Sequence, residues 1–277
     1  ELTGISSSAV IVSMSHDQVA AAVGAGVFSS DIAVDGAGTV ECITPMCDEL
    51  LELELMCEGN FAVVPYVIPG KYLCYAFSYT GGALIQWCVD TLAKQEKKEA
   101  AREGISVNTL LEGAESDPTG MLVLPHFAGA ATPYMDIGSK GAIVGLTVAT
   151  EVPEIYRACM EGVVYEMLLN KEYLEDYGVE FYMMHATGGG AKSKVWMQMK
   201  ADILNVPITE LETVDAGTVG SAMMTGIVTG CFKDLKDAAE HMIKKKKVYT
   251  PRGEMHEKYL VIYKRYRKLY QSVRPLV

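Results

Sequence analysis

The sequence lacks the features that mark several classes of protein. Its seven cysteines are dispersed with no Cys-x-x-Cys pair, a pattern typical of reduced, buried thiols rather than of disulfides or zinc ligands. No apolar run approaches the roughly 18 residues of a membrane-spanning helix. The N-terminal stretch does not resemble a signal peptide. These absences predict a cytoplasmic protein that does not enter a membrane.

Positive charge is also scarce, because 24 Lys and Arg residues stand against 35 Asp and Glu residues and the formal net charge is -11. Such an acidic balance argues against non-specific binding to nucleic acid or to anionic membranes. The lysines and arginines that are present concentrate at residues 244–247 and 264–268. We interpret this basic C-terminal run as a solvated helical face.

Two familiar nucleotide-binding motifs are absent, namely the phosphate-binding loop that ends in Gly-Lys-Ser/Thr and the Gly-x-Gly-x-x-Gly fingerprint. Glycines stand instead in three separated turns: Gly36-Ala37-Gly38-Thr39, Thr80-Gly81-Gly82 and Gly188-Gly189-Gly190. Each turn follows a β-prone segment, where backbone N–H groups can hold phosphate oxygens and no Cβ intrudes. An ordinary tight turn, or a connection packed too closely for side chains, explains each of them as well.

Alternating strand and helix patterns predict an α/β architecture. The apolar run 181–184, the three glycines and the helical pattern after them indicate strand, turn and helix. A stripe of four tyrosines from Tyr259 to Tyr270 predicts core packing rather than a base-stacking platform. Other strands are predicted at residues 9–12, 61–68, 72–79, 121–125 and 208–211, with β-prone segments at 31–44. Helices are predicted at residues 17–27, 82–92 and 107–113, from Pro153, and at 217–230. Residues 95–104 are predicted to be an exposed charged stretch and residues 129–140 a loop.

Asp17 is the carboxylate that stands out, because it follows Ser15-His16 at a predicted strand-to-helix junction. It can cap the helix by accepting N–H bonds, or it can act as a general base at the edge of a sheet where ligands bind in open α/β folds. Position alone favours the cap. His16 can be a ligand or a histidine whose bonds are satisfied at the junction.

Several blocks of residues, in order, make the chain similar to the C-terminal part of the FGGY carbohydrate kinases, and most of all to their xylulokinase-like branch. The blocks are Ser15-His16-Asp17-Gln18, residues 34–41, residues 80–87 and residues 187–193. Two further stretches, residues 124–134 and 145–162, stand between the last two blocks in the family's order. The resemblance covers essentially the whole chain.

The resemblance implies an actin-like, ribonuclease-H-like ATPase fold with a mixed sheet flanked by helices. It implies transfer of the γ-phosphate of ATP, with Mg²⁺, to a hydroxyl of a ketopentose such as xylulose or of a related sugar, while fuculose, ribulose and gluconate stay open. By the same likeness Asp17 is the catalytic base. The nucleotide contacts that the resemblance implies are Gly38, Thr39 and Gly82 at the phosphates and Gly189, Gly190 and Ala191 at the adenosine end, with Lys194 standing where some relatives place an Asn.

The resemblance further implies that an N-terminal half is missing. It assigns residues 1–18 to the end of an N-terminal kinase domain and the interdomain junction, and residues 19–277 to a C-terminal nucleotide-binding domain. The missing half carries the Mg²⁺-associated Asp and most sugar contacts, so no metal ligand is expected in this chain. We therefore expect weak nucleotide binding and little or no turnover from the chain alone. Relatives are often dimers, and a homodimer is the corresponding expectation.

A non-catalytic nucleotide-binding regulatory or scaffold module of the actin/Hsp70-like fold is the alternative. Both hypotheses include ATP binding, and a carboxylate on the acceptor side of the γ-phosphate, supplied here by Asp17, separates them. A third hypothesis, a Rossmann oxidoreductase built on Gly24-Ala25-Gly26, has little support. No matching glycine follows this segment and no strand directly precedes it.

Overall fold

The computed structural model describes residues 4–6, 8–113, 117–213 and 215–277. Helices and strands are interspersed along these residues, as expected for the predicted α/β architecture. The helices are α1 (Asp17–Gly24), α2 (Leu53–Glu58), α3 (Gly82–Thr91), α4 (Lys94–Glu103), α5 (Val107–Glu112), α6 (Val152–Asp176), α7 (Lys194–Leu204), α8 (Ala216–Val228), α9 (Leu235–Met242), α10 (Gly253–Tyr266) and α11 (Leu269–Val273). The strands are β1 (Ile32–Ala37), β2 (Glu41–Cys47), β3 (Ala62–Pro65), β4 (Tyr72–Ser78), β5 (Leu122–Leu124), β6 (Ala142–Val144), β7 (Met183–Thr187), β8 (Ile208–Leu211) and β9 (Lys245–Tyr249).

Seven of these strands form one mixed sheet in the order β3-β4-β2-β1-β7-β8-β9. The pairs β1/β7 and β7/β8 are parallel, and the other neighbours are antiparallel. Parallel pairing places Gly36 of β1 opposite Thr187 of β7. The turns that follow β1 and β7 therefore lie side by side at one edge of the sheet, because the carboxyl ends of parallel strands share an edge. The predicted mixed sheet flanked by helices is confirmed.

The two faces of the sheet pack against different helices. Ala33 and Val34 are neighbours in β1, yet they belong to separate buried clusters because successive strand residues point to opposite faces. One cluster contains residues of α3, α6, α7 and α10, and we call this face the α6 side. The other contains residues of α1, α8 and α9, and we call it the α1 side. Each face thus has its own hydrophobic core.

Helices α1 and α8 approach each other through glycines. A Cβ placed on Gly24 would overlap the carbonyl oxygen of Ala216, and a Cβ placed on Gly220 would overlap that of Ala20. Both positions therefore need a residue without a side chain. The segment Gly24-Ala25-Gly26 ends a helix and packs against another one, so its spacing reflects helix packing rather than a dinucleotide-binding turn.

Two local predictions are wrong. Residues 9–12 form no strand, and Val10 and Ile11 are 58% and 88% exposed. An apolar run becomes a strand only where another strand pairs with it, and none of the described strands lies beside this one. Residues 244–247 do not form a helical face, since most of them belong to β9, an edge strand whose lysines are exposed. Lysines are common on edge strands because they discourage pairing with another chain.

Most of the longer predictions are confirmed. Helix α6 begins where Pro153 predicts it, with Pro in its first turn and a capping box made by Glu151 and Glu154. The tyrosine stripe is buried along α10, and its last member, Tyr270, lies in α11 and stacks on Tyr134. Helices α2 and α9 and strand β6 were not predicted from the sequence, and residues 95–104 belong largely to a separate helix, α4.

Candidate functional site

The hairpin turn between β1 and β2 is bonded directly to the start of α3. The backbone N–H of Gly82 donates to the carbonyl oxygen of Gly38 at 2.9 Å, and those of Gly81 and Ala83 both donate to that of Thr39 at 3.0 Å. The first N–H groups of α3 are therefore occupied by the hairpin. The Thr80-Gly81-Gly82 turn thus joins two elements of the site and does not by itself offer these three donors to an anion.

The glycines of these turns serve two different purposes. A Cβ on Gly82 would lie 2.7 Å from the carbonyl oxygen of Gly38, and a Cβ on Gly188, whose φ is +96°, would overlap that of Ala37. Both glycines allow close backbone packing. Gly189 differs, because a Cβ there would meet no atom of the described residues within 4 Å, and its φ of −66° suits any residue. Gly189 therefore faces open space.

That open space is a cleft of about 1100 Å³. It brings together five of the predicted nucleotide contacts: Gly38, Thr39, Gly82, Gly189 and Gly190. The other predicted residues lie outside the lining: Ala191 is buried in the core of the α6 side, Lys194 is exposed in the first turn of α7, and Asp17 is exposed at the start of α1.

Two turns of the cleft lining carry backbone donors without a backbone acceptor. The N–H groups of Thr39, Gly189 and Gly190 pair with no backbone acceptor among the residues that the structure describes. Thr39 is also exposed and carries a hydroxyl group. Unpaired N–H groups on adjoining turns are suited to phosphate or other anionic oxygens.

The sequence did not indicate a functional role for several other residues of the lining. Trp87 and Trp196 supply aromatic surface, and the buried Nε1 of Trp196 has no hydrogen-bond partner among the described residues. Helix α5 and the residue before it contribute polar groups at Ser106, Asn108, Thr109 and Glu112. The only sequence signal for them is the Ser-x-Asn-Thr stretch in a short predicted helix. Burial raises the pKa of Glu112, which favours its neutral form and hydrogen bonding within the cleft.

Asp17 begins α1 but is not its cap residue. The cap is His16, whose Nδ1 accepts from the Gln18 N–H at 3.3 Å, and Asp17 Oδ1 accepts from the same N–H at 2.8 Å. No strand precedes them, so the predicted strand-to-helix junction is wrong. The Asp17 side chain is 83% exposed. Its carboxylate is therefore open to solvent on a fixed helix terminus.

The residue before Asp17 lies against the sheet, since the ring of His16 is 5.6 Å from the ring of Tyr75 in β4. Burial is the main reason that the pKa of Cys42 rises to about 12, and the charges of Glu41, Asp35 and Asp17 raise it further. Cys42 pairs with Gly36 across the hairpin. The Asp17 charge therefore contributes to the electrostatics around Cys42, although Asp17 does not line the cleft.

Comparison with solved structures identifies the class of fold. The xylulose kinase from Rhodospirillum rubrum superposes with a TM-score of 0.80 at 23% sequence identity, over 95% of this chain and 51% of that chain. The chain therefore has the actin-like ATPase fold, as predicted. No helix among the described residues is long and apolar enough to cross a membrane.

Sequence comparison identifies the family. The model of the FGGY family of carbohydrate kinases, C-terminal domain, matches residues 38–228. The xylulose kinase of Staphylococcus epidermidis is 26% identical over 273 residues, 99% of this chain and 53% of the relative. The glycerol kinase of Aquifex aeolicus is 30% identical over 206 residues, 73% of this chain and 40% of the relative.

The chain therefore belongs to the FGGY family of carbohydrate kinases and corresponds to its C-terminal domain. It spans about half the length of the xylulose kinases that it matches. The predicted family is confirmed.

Proposed function

We propose that this chain is the nucleotide-binding lobe of an ATP-dependent sugar kinase that transfers the γ-phosphate of ATP to a hydroxyl of a xylulose-like ketopentose or a related sugar. The observation that carries the proposal is the single cleft that joins Gly38 and Thr39 to Gly189 and Gly190. The names of the relatives, xylulose kinase and glycerol kinase, support a polyhydroxylated acceptor.

The cleft provides separate places for the two ends of ATP. The N–H group and hydroxyl of Thr39, beside Gly38, bind phosphate oxygens, while the open surface at Gly189 and Gly190 accepts the adenosine end. Donors fixed by a hairpin and a turn stabilise charge on the transferred group without reorganising during the reaction. The indole of Trp196 adds apolar surface at the same wall.

Asp17 is the proposed general base. Its exposed carboxylate accepts the proton of the attacking sugar hydroxyl as that oxygen attacks the γ-phosphorus and the ADP oxygen leaves. Asp17 begins α1 beside the sheet and lies outside the nucleotide cleft, which supports a group that faces the acceptor sugar rather than the nucleotide.

We propose that Mg²⁺ binds together with ATP and balances the charge of its phosphates. Among the described residues, no three His, Cys, Asp or Glu side chains lie close enough together to hold a metal ion. The described part of the chain therefore does not fit a protein cage for Mg²⁺. An ion held largely by phosphates and water agrees with the reluctance of Mg²⁺ to lose its hydration shell.

The domain division, assembly and location are parts of the same proposal. Residues 1–18 are assigned to the end of an N-terminal domain and the interdomain junction, and residues 1–3 and 7 of this segment lie outside the described residues. The exposed apolar side chains of Val10 and Ile11 support a junction that another domain covers. A homodimer rests on the likeness to the family, and a cytoplasmic location rests on the seven free cysteines.

Replacing Asp17 tests the proposal in the full-length protein. We expect Asp17→Asn to leave the dissociation constant for ATP within about twofold and to lower the rate of sugar phosphorylation by about 10²- to 10⁴-fold, because it removes a general base. ADP release with a panel of ketoses and polyols measures the rate, and calorimetry measures ATP binding.

Asp176→Asn is the matched control, since Asp176 is an exposed Asp at the end of α6 that does not line the cleft. This variant should phosphorylate at the unsubstituted rate. Phosphorylation that survives Asp17→Asn would contradict the base assignment. ATP binding without phosphorylation of any sugar by the unsubstituted protein would favour the regulatory or scaffold alternative.

A further inference from the structure

Three buried charged side chains meet beneath the proposed nucleotide cleft. The Nζ of Lys200 donates to Asp35 Oδ1 at 2.9 Å, to Asp35 Oδ2 at 2.8 Å and to Glu41 Oε1 at 2.5 Å. All three side chains are at most 1% exposed. We call this group the Lys200 triad. Buried charges are rare without such pairing, because removing each ion from water is costly.

The protonation of the Lys200 triad follows from its burial. Burial raises the pKa of Glu41 well above its usual range, and Lys200 offsets only part of this rise. Burial alone would lower the pKa of Lys200, but the charges of Asp35 and Glu41 raise it. Lys200 therefore keeps its charge, whereas Glu41 holds a proton far more readily than an exposed glutamate. A neutral glutamine is consequently a close mimic of Glu41.

The Lys200 triad joins β1 and β2, which flank the hairpin turn, to α7, which follows the glycine turn. Asp35 and Glu41 flank the hairpin turn on β1 and β2, and Lys200 belongs to α7, the helix after the glycine turn. Glu41 Oε2 has no hydrogen-bond partner among the described residues and would lie 3.0 Å from a Cβ on Gly81, just before α3. The Lys200 ammonium also lies 4.9 Å from the ring centre of Trp196, which lines the cleft.

We propose that the Lys200 triad is a positioning group that holds the hairpin turn and α7 at the spacing that one nucleotide needs. Lys200, Asp35 and Glu41 act through the backbone and do not touch the nucleotide. The inference rests on the proposed nucleotide-binding function and deepens it. Breaking a buried ion pair by removing one partner is costly, whereas replacing the whole pair by neutral groups is often tolerated. The triad is thus suited to fixing geometry rather than to adding stability.

The first test is Lys200→Met in the full-length protein, with the affinity for ADP measured by titration calorimetry. The substitution removes the ammonium group that donates to both carboxyl groups beneath the hairpin. We expect the dissociation constant for ADP to rise about tenfold or more, the scale of one lost hydrogen bond to a charged group. An unchanged dissociation constant would overturn the inference. ADP that fails to bind even the unsubstituted full-length protein would remove the proposed function, and this inference with it.

A variant in which all three side chains of the Lys200 triad are neutral distinguishes an effect on nucleotide positioning from an effect on folding stability. The triple variant Asp35→Asn, Glu41→Gln, Lys200→Met leaves no buried charge, so urea unfolding should return close to the stability of the unsubstituted chain. We expect its ADP affinity to stay about tenfold weaker, because no ionic group fixes the hairpin to α7. Affinity that recovers together with stability would show a purely structural role and overturn the inference. Failure of the triple variant to fold would overturn it too.

Two single variants complete the test. Glu41→Gln keeps an oxygen that accepts from Lys200, and we expect its ADP affinity to stay within about twofold. Val34→Ala is the stability control, because Val34 is the β1 neighbour of Asp35 whose side chain packs on the α1 side. It should lower the free energy of unfolding with no change in ADP affinity. An equal loss of affinity in Val34→Ala would overturn a specific role for the triad.

Discussion

The two sides of the sheet differ in how they use glycine and buried charge. On the α1 side, Gly24 and Gly220 let two helices touch, and the buried ring of His185 has its pKa lowered by burial while it bonds the Ala25 carbonyl at 2.6 Å. On the α6 side, Gly189 faces the cleft and buried carboxyl groups such as Glu41 and Glu161 stand in the core.

The difference shows that a glycine's surroundings, rather than its spacing in the sequence, separate packing from binding. Gly24-Ala25-Gly26 and Gly188-Gly189-Gly190 look alike as glycine-rich segments. Only the second contains a position where a side chain would meet open space and where glycine is not required by the backbone. Buried carboxyl groups are also found on the side of the sheet that carries the cleft. Removing a carboxyl group from water costs free energy, and an interface that serves packing alone avoids this cost.

The largest effect is expected on the α1 side. Gly220→Ala places a methyl group against the Ala20 carbonyl oxygen, so α1 and α8 must separate. We expect the free energy of unfolding to fall by about 4 kcal/mol, at the upper end for an added methyl because the neighbour is backbone rather than a movable side chain. Urea denaturation of the chain measures this loss.

Gly217→Ala in the same helix is the matched control. Its Cβ would come no closer than 3.5 Å to Asp215 Oδ1, and Ala favours a helix by up to about 1 kcal/mol over Gly. This variant should be as stable as the unsubstituted chain or slightly more so. Similar losses in both variants would mean that the two helices are not held together by close glycine packing.

The next effect concerns a buried carboxyl group of the α6 side. Burial raises the pKa of Glu161 from 4.5 to about 7, although Thr119 donates to its two oxygens from N–H and hydroxyl at 2.9 and 2.7 Å. A carboxyl group whose pKa is raised by folding stabilises the protein below its unfolded pKa, and this contribution is lost as pH rises through the folded pKa. We expect a loss of about 2 to 3 kcal/mol between pH 4.5 and pH 8.

Glu161→Gln isolates this contribution, because glutamine is neutral at every pH and can still bond Thr119. The difference in free energy of unfolding between this variant and the unsubstituted chain should grow in favour of the variant as pH rises from 4.5 to 8. Denaturation series at each pH measure it, and other titrating groups cancel in the difference. A difference that does not change with pH would show that Glu161 ionises as an exposed glutamate does.

Local features of the fold could be predicted from the sequence. Helix α6 follows from its apolar periodicity and the Pro in its first turn, and the strand–turn–helix around Gly188 follows from an apolar run next to glycines. Residues 9–12 could not be predicted correctly, because apolar composition does not reveal whether a strand lies alongside. Strand β9 could not be predicted either, because lysines on an edge strand look like those on a solvated helix.

The residues of the candidate site likewise fall into those that local sequence reveals and those that only the fold brings together. Gly38, Thr39 and Gly189 could be singled out because glycine turns are visible locally, and the family resemblance supplied their roles. The Lys200 triad could not be found, since Lys200 and Glu41 are 159 positions apart and meet only because β1, β2 and α7 pack together. The polar groups of α5 were missed for the same reason.

The smallest and most discriminating effect is expected at Gly189. Its backbone suits alanine, and a Cβ meets no described atom within 4 Å, so Gly189→Ala should change the free energy of unfolding by less than about 0.5 kcal/mol. The new methyl group would enter the cleft where we place the nucleotide, and ADP affinity should fall about tenfold. Gly188→Ala is the contrasting variant. Because Gly188 has a φ of +96° and its Cβ would overlap the Ala37 carbonyl oxygen, this variant should also lower the free energy of unfolding. Unchanged ADP binding in Gly189→Ala would show that the open glycine faces solvent rather than nucleotide, and the difference between the two sides would then be one of packing alone.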